Sequence, residues 1–467
     1  MTRRVPKLES LFVATFVLFG FRLGVQPITD NSMFTHLRTG IDMVRSGGIP
    51  RTDPYSWTAR GTEWVVQSWL PAWSYGWAQR LGGFRLVVLE QALLLAVLAW
   101  LMLRLARTGS PSRTALVGVI VIGMAAPFWA PRPLLFGLIC MALTVAIVER
   151  KRSPWLLVPV VWLWAQSHGS FPLGLAWLAA RALGEGLDWK AWPRDSMSYV
   201  GAFAVGLVAS VVNPLGYRLL TFPLTLGSKR EAFKNIIEWR SPDFQQGASR
   251  VALVMLVLAL LLLVRARLPW RDVVPVVGFV AFALLAMRNI PVAAIVLAPV
   301  LSRTLRRPES SPAHRADIDS QARMNRAMAA VLAAAFLVFG LSIRSHDGLN
   351  VKPYPVAAAD FLQREGLFAD PHRVAHMDFV GNFLELRYGG RAPVFVDDRF
   401  DMYPLAVSRD YRELLGARSG SLGILDRRGV DLVLWDKDQP LTNLLRVTGR
   451  WEEIFADDDW VVLRRNA

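Results

Sequence analysis

Apolar segments of the length needed to cross a bilayer recur along the sequence and constrain its fold more than any other feature. A membrane is crossed by a helix of roughly 17–25 apolar residues. Of the 467 residues, 53% are hydrophobic and only 19% are charged, which excludes an ordinary soluble protein. The pair 155–167 and 170–183 is equally consistent with one long or one broken helix. The sequence therefore predicts an α-helical polytopic membrane protein with about 11 transmembrane helices, at 9–26, 84–103, 114–130, 133–149, 155–167, 170–183, 198–212, 250–264, 272–287, 289–302 and 327–343.

The start of the chain is predicted to stay in the membrane. The basic stretch MTRRVPKLES leads directly into the first apolar segment, and no small-residue cleavage site follows. This pattern indicates a retained span rather than a cleaved signal peptide. Cys140 is the only cysteine, which excludes an intrachain disulfide and a thiolate metal site. Arginine far outnumbers lysine and no N-x-S/T acceptor occurs, as in many bacterial proteins.

Basic residues define the orientation in the membrane. Segment 64–81, WVVQSWLPAWSYGWAQRL, is rich in tryptophan, which favours the headgroup region, and we predict a helix lying at the interface. With that helix outside the bilayer, the basic clusters fall on one side, at 3–7, 104–113, 150–152, 265–271 and 303–326. The net charge of +16 is then explained by loops facing an anionic leaflet, and no nucleic-acid partner is predicted. We expect a bacterial plasma-membrane protein with a cytoplasmic N-terminus.

The chain after the last apolar segment differs in composition and is predicted to be a separate extracytoplasmic domain. We expect domains at 1–345 and 350–467, with exterior loops 27–83 and 213–249 and a polar cytoplasmic linker at 303–326. The second domain has helical patterns at Val356–Arg364 and Leu405–Leu415. Short β-rich runs at Arg373–Met377, Pro393–Val396, Leu432–Trp435 and Trp460–Leu463 complete a small α/β domain.

The first exterior loop begins with an acid followed by an amphipathic helix. Apolar residues at helical spacing predict a surface helix over 32–46, ended by Gly47 and Gly48. Asp30 directly precedes it. One interpretation is an N-cap, held by the unpaired amides and the helix dipole. The other is a carboxylate at the membrane face that accepts a proton from a hydroxyl group.

Several longer motifs favour the second interpretation. The first loop reads TDNSMFTHLRTG and then PRTDPYSWTARGTEWVVQSWL, and similar motifs follow across nearly the whole chain. Together they resemble the GT-C glycosyltransferases, polyprenyl-phosphate-sugar-dependent membrane enzymes related to protein mannosyltransferases, and in particular a bacterial group of them. The further matching motifs are WLWAQSHGSF (162–171), VNPLGYRLLTFPL (212–224), IIEWRSPDF (236–244), MRNIP (287–291) and VFVDDRFDMYP (394–404).

This resemblance implies roles for four residues. Asp30 matches the first-loop acid that serves as general base, and Asp53 matches a second acid of that loop. His36 matches the histidine of the first loop, and His168 the histidine between the fifth and sixth spans. Both loops are exterior on the topology inferred from charge.

The sequence departs from the pattern of the group at two places. Ser32 stands where the pattern has a second acid, and Gln67-Ser68 stand where it has His-Glu. A paired-acid metal site in the first loop is therefore unsupported, and no metal ligands are predicted. Dependence on a divalent cation stays open, as does reduced or altered activity.

Exterior arginines are candidates for binding the donor phosphate, because a guanidinium stays charged and binds phosphate with two parallel hydrogen bonds. They are Arg132, Arg218 and Arg288, each of which is also consistent with an ordinary contact to lipid headgroups. Glu238 and Asp243 either line the substrate loop or fix a turn. The acids at 397, 398 and 401 are predicted to form a turn at the end of a strand.

The resemblance implies a transferase that moves a sugar from a polyprenyl-phosphate donor to a glycan, lipid or protein acceptor of the cell envelope. Two alternatives stay open. A lipid-linked saccharide transporter would need polar groups through the bilayer midplane, and few are present. A catalytically silent scaffold would keep the fold and bind proteins through residues 350–467.

Overall fold

A computed structural model describes residues 6–229, 231–233, 236–264, 266–306 and 318–466. Chain contacts divide the protein into two compact units. The first, here called the helical unit, comprises Met1–Pro27, Gly82–Pro223 and Asn235–Gly348. The second, the mixed unit, comprises Ile28–Leu81, Leu224–Lys234 and Leu349–Ala467. The first exterior loop therefore groups with the C-terminal region, whereas the sequence division was drawn at 1–345 and 350–467.

Helices occupy most of the chain up to residue 345. Three of the helices in the described ranges are long and apolar enough to cross a membrane, over Trp69–Leu105, Pro111–Phe128 and Gln321–Ser345. In chain order the helices are α1 (Leu8–Gly24), α2 (Asn31–Ser46), α3 (Trp69–Leu105), α4 (Pro111–Ala125), α5 (Leu134–Glu149), α6 (Leu157–Ser167), α7 (Pro172–Trp189), α8 (Arg194–Ala209), α9 (Arg218–Ser228), α10 (Gly247–Leu263), α11 (Trp270–Leu285), α12 (Ile290–Thr304) and α13 (Ile318–Ser342).

Each predicted span overlaps a helix, and the alternative left open for 155–183 is decided. Segment 155–183 is a broken element, because α6 ends before His168 and α7 begins at Pro172. The predicted break between an interfacial helix and a span is present at Gly82 and Gly83, whose backbone leaves helical geometry inside α3. The helices α12 and α13 extend into the predicted linker 303–326, because α12 continues to Thr304 and α13 begins at Ile318. Positions 307–317 of that linker, like 3–5 and 265 of the basic clusters, lie outside the described residues.

The core of the helical unit is built around α12. Every residue from Ile290 to Ser302 is buried, so this helix is covered on all sides. Because its sequence is apolar around the whole circumference, burial in the centre is the arrangement its composition favours. Neighbouring helices α4, α5 and α11 surround it and bury their own apolar residues on it.

The mixed unit contains a four-stranded sheet in the order β1-β2-β4-β3, with β1 parallel to β2 and the other pairs antiparallel. Two strand predictions need correction. Pro393–Val396 forms no strand, since Val394 makes a single bridge to Ser56. β3 was missed, because it is a largely exposed edge strand with little apolar alternation. The elements are α14 (Val356–Arg364), β1 (Val374–His376), α15 (Asp378–Tyr388), α16 (Leu405–Leu415), α17 (Ser421–Arg427), β2 (Leu432–Asp436), α18 (Pro440–Val447), β3 (Trp451–Ala456) and β4 (Trp460–Arg465).

Helix α2 confirms that the predicted segment 32–46 is helical, and it is capped by Gly47, whose φ of 73° is left-handed. It crosses the first part of α3 at a point where two glycines face each other. A Cβ atom on Gly40 would lie 1.8 Å from the carbonyl oxygen of Ala72, and one on Gly76 would lie 2.2 Å from that of Gly40. Both positions therefore require the absence of a side chain.

Replacing Gly40 by Ala is expected to destabilise the mixed unit by roughly 1–3 kcal/mol, because the two helix backbones must move apart. Apparent melting temperature in detergent micelles measures the loss. Gly48→Ala is the matched control, since a Cβ atom there meets nothing within 4 Å. Equal melting temperatures for the two variants would contradict the tight crossing.

Candidate functional site

Asp30 caps α2. Its backbone is extended, with φ −64° and ψ 116°, and its Oδ1 accepts a hydrogen bond of 3.3 Å from the backbone N–H of Met33. Asp30 is half-buried. Asp30 therefore has the geometry of a helix N-cap. This geometry does not exclude the catalytic interpretation, because a capping carboxylate at a partly open surface can still accept a proton.

Asp398 lies beside the start of α2. The hydroxyl of Ser32 hydrogen-bonds its carboxyl, and its backbone N–H donates to Oδ1 of Asn382 at 3.1 Å. Burial, followed by repulsion from Asp397, raises the pKa of Asp398 to about 7. Asp378 and Asp30 act in the same direction. A carboxyl that titrates near neutral pH therefore adjoins the capping acid.

Two further side chains complete this group. Asp378 accepts a 2.9 Å hydrogen bond from the Tyr411 hydroxyl, and burial raises the pKa of its carboxyl. Tyr354 donates to the backbone carbonyl of Thr29 at 3.0 Å, and its electrostatic neighbours are Asp30 and Asp398. Residues Asp30, Ser32, Tyr354, Asp378 and Asp398 are called the carboxyl cluster below.

Asp53 lies in a different network, centred on Arg399. Its carboxylate accepts hydrogen bonds from the N–H groups of Tyr55 and Ser56 and ion-pairs with Arg399 at 2.9 Å. The guanidinium also binds Asp397 at 2.5 Å and Glu385 at 3.2 Å. All four charged groups are buried. The structure thus gives Asp53 a structural position within this network, while its predicted catalytic role stays a prediction.

The three acids around Arg399 share one positive charge. Burial raises the pKa of Glu385, and repulsion from Asp397 raises it further. For Asp397 the effect of burial is outweighed by attraction to Arg399 and by hydrogen bonds from Arg399, Glu385 and Tyr403, which lower its pKa. The other carboxyl oxygen of Glu385 accepts a 2.9 Å hydrogen bond from the hydroxyl of Thr35 on α2. We call Asp53, Glu385, Asp397 and Arg399 the Arg399 network.

The remaining first-loop candidate, His36, is half-buried on α2. The two candidate acids of the first loop bind different partners. Asp30 belongs to the carboxyl cluster and Asp53 to the Arg399 network. The sequence pattern alone gave no reason to separate them.

His168 in the helical unit ends α6 and is oriented by the next turn. The N–H of Ser170 donates to its Nδ1 at 3.2 Å, and the Ser170 hydroxyl lies 2.8 Å from the same atom. The hydroxyl in turn accepts from the Trp164 indole at 3.0 Å. Since Nδ1 is an acceptor, the neutral ring carries its proton on Nε2. His168 is therefore both hydrogen-bonded and fixed in one tautomer.

Arg288 lies in the turn between α11 and α12 and lines a cavity of about 40 Å³ together with His168 and Asn289. Its guanidinium carbon lies 4.4 Å from the ring centroid of Trp239. Within the described ranges this guanidinium has no hydrogen-bond or ion-pair partner. A half-buried, stacked and uncompensated cation at a cavity is a suitable site for an anion.

The other predicted phosphate ligands are placed differently. Arg132 forms an ion pair with Glu238, so each compensates the other's charge. Arg218 begins α9 and is half-buried. Asp243 accepts a 2.9 Å hydrogen bond from the N–H of Gln245 in the turn before α10, which is the turn-fixing alternative. The described residues contain no group of three or more His, Cys, Asp or Glu side chains that could hold a metal ion.

Sequence reasoning missed the importance of the motif VFVDDRFDMYP. It predicted a simple turn, whereas Asp397 and Arg399 are fully or nearly buried and Asp398 joins the carboxyl cluster. The available signal was that three acids and an arginine fall within five consecutive residues directly after an apolar run. Because charges are buried only when they are paired, this pattern indicates a buried ion-pair network.

Comparison with known proteins identifies the fold. The chain matches ArnT from Cupriavidus metallidurans bound to undecaprenyl phosphate, with a TM-score of 0.50 and 14% identity over 98% of each chain. It matches the Archaeoglobus fulgidus oligosaccharyltransferase in the apo form, with a TM-score of 0.53 and 9% identity, over 91% of this chain and 69% of that one. AglB from the same organism, in complex with an inhibitory peptide and a dolichol-phosphate, gives a TM-score of 0.52 at 9% identity and the same coverage.

No protein-family model and no curated protein sequence matches the chain. The structural matches confirm the predicted fold, a mostly helical GT-C-like fold with a small C-terminal α/β domain. At these identities the likeness concerns the fold, and activity has to be argued from the sites themselves.

Proposed function

We propose that the protein is a membrane glycosyltransferase that moves a sugar from a polyprenyl-phosphate donor to an acceptor of the cell envelope. The observation that carries the proposal is the cavity at Arg288, an uncompensated cation within a GT-C-like fold. A structural neighbour that covers 98% of the chain was solved with undecaprenyl phosphate bound, which supports a lipid phosphate as the anion.

The reaction requires few groups. The acceptor oxygen forms a bond to the anomeric carbon of the sugar while the bond from that carbon to the phosphate oxygen breaks. The pair of electrons leaves with the polyprenyl phosphate, whose developing charge Arg288 stabilises. The acceptor proton passes to Asp30, the proposed general base.

The orientation follows from the charge distribution along the sequence. The N-terminus is cytoplasmic, and the first loop and the C-terminal region lie on the opposite side. Catalysis is therefore extracytoplasmic, where envelope acceptors are located.

Turnover of a defined donor tests the proposal. Purified protein in liposomes is supplied with a panel of radiolabelled polyprenyl-phosphate hexoses and pentoses and with an envelope extract, and released polyprenyl phosphate is measured. Protein-dependent release with label transferred to the extract supports a transferase. Movement of intact donor across the vesicle without release indicates a transporter, and neither result with any donor indicates the silent scaffold.

Arg288→Met is expected to weaken binding of undecaprenyl phosphate about 10- to 100-fold, because hydrogen bonds to charged groups contribute roughly 1.5–3 kcal/mol. Displacement of a labelled lipid phosphate from the purified protein measures it. Arg85→Met is the matched control, since Arg85 is half exposed and pairs with the exposed Asp347. Unchanged affinity in Arg288→Met would refute the assigned anion site.

A further inference from the structure

The carboxyl cluster contains an acid that no sequence motif assigned to catalysis. Asp398 is separated from Asp30 by 368 positions, yet the hydroxyl of Ser32, two residues after Asp30, binds its side chain. Asp30 and Asp398 are both half-buried residues. Ser32 stands where an acid was expected in the first loop, and the chain fold brings a different acid to that serine.

We propose that Asp398 is a second proton-accepting residue of this site, which receives the proton that Asp30 takes from the acceptor hydroxyl. The inference rests on the proposed transferase function and deepens it. It concerns acceptors that carry a hydroxyl group, since only these release a proton on transfer.

The position of Asp398 is fixed by its surroundings. Its backbone N–H donates to Oδ1 of Asn382, a fully buried side chain of α15. The amide nitrogen of the same side chain has no hydrogen-bond partner within the described part of the chain. Because that nitrogen is bonded to the same carbon as Oδ1, it lies next to Asp398. A buried donor without a partner is costly in a folded protein and marks a position where a ligand oxygen can bind.

The charges around Asp398 suit it to accept a proton. The groups that face it are Asp30 at the start of α2, Asp378 at the start of α15, Asp397 in its own segment and the Tyr354 hydroxyl. The neighbouring Arg399 does not balance them, because its guanidinium binds the three acids of the Arg399 network. Burial and these negative neighbours raise the pKa of Asp398 to about 7, the range in which a base operates most effectively at neutral pH.

The proton balance of the step is complete. The acceptor proton moves to the Asp30 carboxylate as the bond from sugar to phosphate breaks. The proton then moves from Asp30 to the ionised Asp398 carboxylate, which restores the Asp30 carboxylate. Asp398 finally releases the proton to solvent. No oxidant, metal or further co-reactant is needed.

The test is the pH profile of turnover. In the wild type, donor turnover is expected to rise with pH and to level off above an apparent pKa near 7. Asp398→Asn should lose this rise and turn over about 10-fold more slowly at pH 8 with unchanged KM, a smaller loss than the roughly 10²- to 10⁴-fold expected for the group that takes the proton directly. Asp457→Asn is the matched control, because Asp457 is an exposed turn acid whose Oδ1 alone binds the amides of Asp459 and Trp460.

A second variant separates titration from misfolding. The Ser32 hydroxyl lowers the proton affinity of Asp398, so Ser32→Ala is expected to move the break in the pH profile of turnover to higher pH without abolishing turnover.

The pH dependence of protein stability gives an independent check. Because the folded state binds the proton of Asp398 more tightly than the unfolded state, stability falls as pH rises from about 4 to about 7. Asp398→Asn should therefore melt at a higher temperature than the wild type at pH 8.

The outcomes are distinguishable. If the wild type turns over none of the donors, the proposed function fails. If the wild type is active and Asp398→Asn keeps the same break near pH 7, or Ser32→Ala leaves the break in place, Asp398 does not accept the proton and only this inference is overturned.

Discussion

Asp30→Asn is expected to reduce sugar transfer by about 10²- to 10⁴-fold, the usual contribution of a positioned general base. Asparagine is chosen because it caps a helix about as well as aspartate. Its Oδ1 can accept the same hydrogen bond from Met33, so α2 keeps its start, while an amide cannot take up a proton. The substitution thus separates the two interpretations of Asp30 that the sequence left open.

The measurement is release of polyprenyl phosphate from the labelled donor, with melting temperature recorded for the same preparation. Asp457→Asn applies the same chemical change at an exposed turn and should leave both values unchanged. Asp30→Ala adds the loss of the cap, which costs about 0.5–2 kcal/mol. Full transfer by a correctly folded Asp30→Asn protein would show that Asp30 is an N-cap and nothing more.

Arg399→Met is expected to lower the free energy of unfolding by about 3–5 kcal/mol, because it leaves buried carboxyl groups without their counter-charge. The guanidinium makes three ion pairs and packs on Trp64, with 4.4 Å between its central carbon and the ring centroid. Methionine retains much of the apolar volume, so the loss reports the charge rather than a cavity. Unfolding of the purified protein in mixed micelles with added denaturant measures it.

Two further variants serve as controls for Arg399→Met. Arg409 forms an ion pair with Glu231 at 2.9 Å but is more than half exposed, so Arg409→Met should lower the free energy of unfolding by less than about 1 kcal/mol. Glu385→Gln should be tolerated, because burial favours the neutral form of Glu385 by raising its pKa and glutamine has the same shape. If Arg399→Met and Arg409→Met were equally stable, the Arg399 network would not support the fold.

The helical part of the architecture was accessible from sequence because its signal is local. An apolar run long enough for a helix is read without knowledge of its neighbours. The bounds of α14 and α16 were predicted to the residue, and Asp30 was correctly placed at the start of α2. The edge strand β3 was missed, because its solvent-exposed residues lack a clear alternating pattern.

The sequence by itself determined the helices of the first part of the chain, the capping acid and the GT-C-like fold class, since each depends on residues close together in the chain or on motifs in order. Only the tertiary structure decided which charges share a site. It separated Asp53 from Asp30, paired Arg132 with Glu238, left Arg288 uncompensated at its cavity and brought Asp398 to Ser32. The reason is that Coulomb energies and burial depend on which residues are neighbours in space, and no local sequence pattern indicates that Asp398 and Ser32 are in contact.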